Sequence, residues 1–132
     1  MSNSKRVLII DSQPEMADWL TQVVNSAGYD AITTGSATVG LVIASEEAPS
    51  AILCNVDMPG LNGFHVLRLL KDHVNTANTP VILITGEANV VAPQATAVLQ
   101  APFEADELLV LLALNISATE PAPAAEDAAG TA

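Results

Sequence analysis

The stretch "AILCNVDMPGLNGFHV", residues 51–66, decides how the rest of the chain is read. An apolar run, Ala51 to Cys54, ends at Asn55. A short continuous apolar run of this kind is what a strand buried on both faces looks like. Asp57-Met58-Pro59-Gly60 then supplies turn chemistry, and "GFHVLRLLKDHVN" (63–75) returns to helical spacing. Strand, tight turn and helix in immediate succession are the first half of a parallel βαβ unit. The strand tip is where such a unit places chemistry, and here it carries a neutral amide rather than an acid.

The same rhythm extends in both directions. "RVLII" (6–10) is a β-branched apolar strand, followed by a helix opening at Pro14 and stopping at Gly28. Pro suits a first helical turn, Glu15 and Asp18 suit the positive helix end, and Gly suits the stop. "YDAITT" (29–34) is a weaker strand. "SATVGLVIASEEA" (36–48) is a helix weakened by Gly40. "PVILIT" (80–85) is the clearest strand, "AVLQA" (97–101) the last, and "EADELLVLLALNI" (104–116) the closing helix. The pattern predicts an α/β fold: a doubly wound, five-stranded parallel sheet with helices on both faces and right-handed crossovers. Residues 1–117 form the domain. Residues 118–132, Ala/Pro-rich and acidic, cannot bury a core and are expected to be a disordered tail.

Composition excludes several function classes. Half of the 132 residues are apolar and 14% are charged, which suits one globular domain. Net charge is −11, with Lys5, Arg6, Arg68 and Lys71 the only basic residues. No cationic surface is available to displace phosphate counterions, so neither nucleic acid nor an anionic membrane is an expected partner. The apolar runs are too short to span a bilayer and no signal peptide is recognisable, so a soluble cytoplasmic protein is expected. The single cysteine, Cys54, reads as a small buried hydrophobe. His65 and His73 lie eight apart with no ligand at metal spacing, and both read as solvent-side residues. No nucleophile–base set or phosphate loop can be assembled, so no enzyme activity and no cofactor are expected.

At this point the chain resembles the receiver domain of bacterial two-component response regulators. The resemblance rests on "VLIID" (7–11) with Pro14, "GY" (28–29), "MPGLNG" (58–63), "TPVILITG" (79–86) and "APF" (101–103), and on the spacing of Asp11, Asn55 and Thr85. It implies a pocket with five groups: an acidic pair holding magnesium, an acceptor aspartate, a Thr or Ser, and a lysine. Magnesium and lysine would offset charge on the transferring phosphoryl. Against that pattern the acidic pair is Asp11-Ser12, the acceptor position is Asn55 and the lysine position is Ala101, which leaves Asp11 and Thr85. An amide is nearly isosteric with a carboxylate but is a poor nucleophile. The aromatic switch position falls at Val98. Asp57 reads as an exposed loop acid, and a divalent ion held by Asp11 with Asp57 is a minor alternative to having no metal at all.

A second departure from the resemblance is length. Thr85 to Ala101 is too short by more than one helical turn, so the fourth crossover helix is expected to be shortened or lost. The closing helix, apolar almost all round, would put Leu108, Leu111 and Leu112 on the core. Leu109, Val110, Ala113 and Ile116 would face outward, as a homodimer or partner interface, alongside Val98 and a second spot at Trp19 with Val23. With no output domain in view, the expected function is a stand-alone, phosphorylation-independent protein-interaction module in bacterial signal transduction, with a signalling protein as partner. The alternatives are a small-molecule or ion sensor reusing the emptied pocket, and a residual phospho-acceptor.

Overall fold

The computed structural model describes residues 5–119. Five strands, β1 (Arg6–Ile10), β2 (Asp30–Thr34), β3 (Ala51–Asn55), β4 (Val81–Thr85) and β5 (Ala97–Gln100), pair in the order β2-β1-β3-β4-β5. Every pairing is parallel. Four helices connect or follow them: α1 (Pro14–Ser26), α2 (Ala37–Glu47), α3 (Gly63–Lys71) and α4 (Ala105–Thr119). The expected sheet is therefore present, and its closing helix extends three residues beyond the predicted end. Of the predicted tail, residues 118 and 119 lie in α4 and the remainder falls outside the described residues.

Because side chains alternate across a strand, the sheet sorts its residues into two cores. Leu8, Ile10, Ile52, Cys54 and Leu83 face α2 and α3. Val7, Ile9, Leu53, Ile82 and Ile84 face α1 and α4. β1, β3 and β4 are covered on both sides, which is why they read as unbroken apolar runs. β2 is an edge strand and only half-buried, hence its weaker signal.

No helix joins β4 to β5. Residues 86–96 form turns and loop, as the short interval predicts. Ala92 and Ala95 of this loop, with Val98 of β5, pack against the α2–α3 core. Small side chains thus do part of the covering that a crossover helix would do.

Two glycines set helix positions. A Cβ on Gly40 would lie 2.6 Å from Ile10 Cδ1, so this residue, costly to helix propensity, lets α2 close onto β1. A Cβ on Gly63 would lie 2.7 Å from Val56 Cα and 2.8 Å from the Asn55 carbonyl oxygen. Those neighbours are backbone and cannot rotate away. α3 therefore starts against the end of β3, its first turn capped by Asn62 Oδ1, which accepts from the His65 N–H at 3.0 Å. It ends at Lys71, four residues before the predicted limit. Thr76 Oγ1 donates to the Leu70 carbonyl at 2.6 Å, and Lys71 Nζ donates to the carbonyls of Ala77 (3.1 Å) and Thr79 (2.9 Å). The helix-end carbonyl of Leu70 thus bonds to the connection instead of to another helical turn, and Lys71 ties the connection back to the helix.

Gly63→Ala is expected to destabilise the domain by about 1–3 kcal/mol through overpacking. Gly86→Ala, where a Cβ meets nothing within 4 Å, should be close to neutral. Paired urea titrations check the contrast; equal effects would show that the α3–β3 approach is not the constraint.

Candidate functional site at the carboxyl ends of the strands

In a parallel sheet, ligand sites form beyond the carboxyl ends of the strands, where helix N-termini converge. β1, β3 and β4 deliver Asp11, Asn55 and Thr85 to that edge, and all three are buried. Asn55 Nδ2 donates to both oxygens of the Asp11 carboxylate, at 3.2 Å each. The Gln13 N–H donates to Asp11 Oδ1 at 2.9 Å. Asn55 uses its other end too: Oδ1 accepts from the Asp57 N–H at 2.9 Å. One amide therefore ties β1 to β3 and fixes the first residues of the β3–α3 turn. Thr85 Oγ1 accepts from the Glu87 N–H at 3.1 Å, starting the loop after β4. This is local backbone work.

Burial raises the Asp11 pKa above its ordinary 3.8, opposed by the Gln13 N–H and the Asn55 amide, which stabilise the carboxylate. Burial, with a smaller contribution from the Asp11 charge, pushes the Cys54 thiol up to about 12, so no thiolate forms at neutral pH. Ser12 and Ala101 are half-buried at the rim. The Ala101 N–H is spent on the Thr85 carbonyl at 2.8 Å, prolonging the β4–β5 ladder.

The donor set does not suit magnesium. It offers one buried carboxylate whose two oxygens already accept three N–H bonds, whereas magnesium takes hard oxygens in octahedral array. Asp57 is exposed in its loop, whereas Asp11 is buried. Among the described residues no cluster of three or more His, Cys, Asp or Glu side chains could hold a metal ion.

A family model for the response regulator receiver domain matches residues 7–112. The chain belongs to that family. The receiver domain is 26% identical over 126 residues to the DNA-binding response regulator MtrA of Mycolicibacterium smegmatis, covering 91% of this chain and 54% of MtrA. It is 34% identical over 80 residues to protein PilH of Pseudomonas aeruginosa, covering 61% of this chain and 66% of PilH. The chain thus spans about half the length of MtrA and just under two-thirds of PilH. A solved response regulator receiver domain protein from Clostridium thermocellum superposes with a TM-score of 0.80 at 24% identity, over 86% of this chain and 95% of that one. The fold is that of receiver domains, and the chain is a receiver domain of two-component signalling.

The residues expected at an interface separate into two groups. Val110 is 56% exposed on α4 and Ala113 is also exposed. Leu109 is half-buried against the α1–α4 core and Val98 against the opposite one. Ile116, expected outside, is a correction: it is 4% exposed. The buried stripe of α4 is Leu108, Leu112 and Ile116, four residues apart, while Leu111 is only half-buried. Val23, expected beside Trp19 on the surface, is buried as well. Trp19 itself is 36% exposed and meets Phe103 edge-on, ring centroids 5.5 Å apart. This pair joins α1 to the β5–α4 loop, next to an open groove of about 750 Å³ between Ser12 and Trp19. Sequence reasoning missed Leu114, 65% exposed, and the Gln13 N–H as the second brace on Asp11. Leu114 follows from Val110 at helical spacing once the buried stripe is known; a backbone donor leaves no sequence signal.

Asn55→Asp would face two buried carboxylates across the gap that the amide now bridges. It is expected to cost at least about 1.5 kcal/mol at neutral pH, the value of hydrogen bonds to a charged group. Like charge and burial would both raise the pKa of the pair, so the native state would hold a proton that the unfolded chain releases at ordinary carboxylate values near 3.8. The deficit should therefore shrink as pH falls through the raised pKa, and magnesium chloride should restore part of it at neutral pH. Urea titrations of both proteins across pH check this; a deficit that does not change with pH would refute the bridging role.

Proposed function

We propose that this receiver domain works without phosphorylation, as a protein-binding module in bacterial signalling. The observation that carries the proposal is the Asn55 amide on the Asp11 carboxylate. An aspartyl-phosphate route needs a nucleophilic carboxylate, a metal to gather the phosphoryl oxygens, and a cation to take up their charge. The position that the family resemblance gives to the acceptor holds an amide, the buried Asp11 already accepts three N–H bonds, and Ala101 stands at the lysine position. Each loss removes the need for another: without a second carboxylate no metal is required to relieve repulsion, and without a phosphoryl group no lysine is required to bind it.

Binding has a surface to use. Val110 and Leu114 lie on the solvent side of α4, next to a hollow lined by Leu99, Asp106, Glu107 and Leu111. Exposed apolar groups in one cluster mark contact surfaces more often than scattered ones do. A sensor using the emptied pocket is less well supported, because Asp11, Asn55 and Thr85 are buried and engaged with one another or with local backbone.

Incubation with acetyl phosphate and magnesium, followed by intact-mass measurement, should leave the mass unchanged. A phosphoryl adduct that disappears in an Asp11→Asn or Asp57→Asn variant would overturn the proposal. In parallel, Val110→Glu should fold with stability within about 0.5 kcal/mol of the parent, as surface substitutions do; a larger loss would place that face in the core.

A further inference from the structure

The turn between β3 and α3 contains a reactive pair. Asn62-Gly63 is the one place in the chain where an asparagine precedes a glycine; every other asparagine is followed by a residue with a side chain. In an open chain the Gly63 nitrogen can attack Cγ of Asn62, because glycine has no Cβ to hinder the approach. The new N–Cγ bond closes a five-membered succinimide, and the side-chain nitrogen of Asn62 leaves as ammonia. Water then opens the ring in one of two ways. Breaking the new N–Cγ bond restores the ordinary chain with an aspartate at 62. Breaking the original peptide C–N bond gives isoaspartate, whose main chain runs through Cβ and Cγ and is longer by a methylene.

The fold opposes each requirement of the first step. Ring closure needs the Gly63 nitrogen to eclipse Cβ of Asn62 about the Cα–C bond. Asn62 is held at ψ 171°, which sets that nitrogen anti to its own nitrogen and gauche to Cβ. The attacking nitrogen must also lose its proton, yet the Gly63 N–H donates to the Val56 carbonyl at 2.9 Å and Gly63 is buried. The electrophile is tied at both ends of its residue. Asn62 Oδ1 accepts from the His65 N–H at 3.0 Å, and the Asn62 carbonyl accepts from the Val66 N–H at 3.1 Å. Turning ψ toward the reactive angle would break the bond to Val56 and swing Gly63 in a seat with no slack. A Cβ there would already lie 2.7 Å from Val56 Cα and 2.8 Å from the Asn55 carbonyl oxygen. Asn62 itself is only half-buried, so geometry and hydrogen bonding, rather than exclusion of water, hold the pair inert.

We propose that Asn62-Gly63 is a modification site gated by the fold: inert while α3 is seated on β3, and converted through the succinimide when the β3–α3 turn opens. The two products then diverge. An aspartate at 62 caps a helix as well as asparagine does, and its charge suits the helix N-terminus, so that product recloses. Isoaspartate does not fit. Its extra methylene either moves the capping group away from the His65 N–H or pushes Gly63 onto the end of β3. That end belongs to Asn55, whose side chain bridges Asp11 and the Asp57 N–H. The conversion is not reversed by water, so each opening of the turn leaves a permanent mark beside the strand tip. Whether the domain accepts a phosphoryl group has no bearing on this chemistry.

The test incubates the full chain at mildly alkaline pH, in buffer and in denaturing guanidinium chloride, beside Asn62→Ser, which keeps a capping oxygen and removes the amide. Conversion is read on the peptide carrying residue 62, as the gain of one dalton when amide becomes carboxyl, and isoaspartate by its enzymatic methylation. In denaturant the parent should convert and form isoaspartate, whereas Asn62→Ser should show no change on that peptide. In buffer the parent should convert at least about tenfold more slowly, an opening free energy of about 1.4 kcal/mol or more. After the denaturant is removed, a protease pulse in urea that leaves fresh protein intact should digest the chains bearing isoaspartate and spare those with aspartate. Equal rates in buffer and denaturant, no conversion at 62 in denaturant, or isoaspartate chains as resistant as the parent would each overturn the proposal.

Discussion

One buried amide organises the functional end of this receiver domain. Asn55 sits at the tip of the central strand, next to β1, with its Nδ2 toward both oxygens of Asp11 and its Oδ1 toward the Asp57 N–H. A buried carboxylate is costly unless its lone pairs are engaged, and here two donors from different elements engage them. The raised pKa of Asp11 shows that this compensation is incomplete. The amide also fixes the turn that leads into α3, and Gly63 allows that helix to press against the Asn55 carbonyl. Strand pairing, turn geometry and helix placement thus meet at one side chain. That side chain acts as a neutral bridge, where an acid would need a cation or a proton.

The missing crossover helix has a different kind of consequence. A parallel sheet ordinarily needs helices on both faces, and β5 has only α4 on one side and a loop on the other. Ala92 and Ala95 of that loop pack against the same core as Val98, which is half-buried. The loop brings few large apolar groups: of its two valines, Val90 is half-buried and Val91 points to solvent. β5 is consequently the least buried strand after the edge strand β2, and Leu99 becomes part of the hollow against α4. Shortening one connection therefore altered the surface around the last strand and helix without disturbing the four central pairings.

Much of this was legible in the residues. The three inner strands announce themselves because burial on both faces removes any polar alternation. The loss of the crossover helix was legible as length alone, since the interval from Thr85 to Ala101 with Pro93 inside cannot hold it. The polar contacts were less so: Asp11, Asn55 and Thr85 could be placed together, but which hydrogen bonds engage them depends on distances. The phase of α4 was misjudged for a physical reason. "LLVLLALNI" is apolar at nearly every position, so periodicity carries no information about which residues face inward. Packing against the sheet chose Leu108, Leu112 and Ile116. The C-terminus of α3 was misplaced because side-chain bonds from Thr76 and Lys71 to backbone carbonyls compete with another helical turn, and such competition has no periodic signature.

The distribution of charge follows from the same economy of function. In a site that handles phosphate, cations are kept at the carboxyl edge of the sheet. Here Arg6 bonds Glu47, Lys71 bonds the α3–β4 connection, and Arg68 lies exposed in the last turn of α3. Glu15, Asp106 and Glu107, by contrast, lie in the first turns of α1 and α4, where the helix dipole favours them. The chain carries −11 overall, and at this edge the buried charge is that of Asp11, held by neutral N–H donors rather than by a cation.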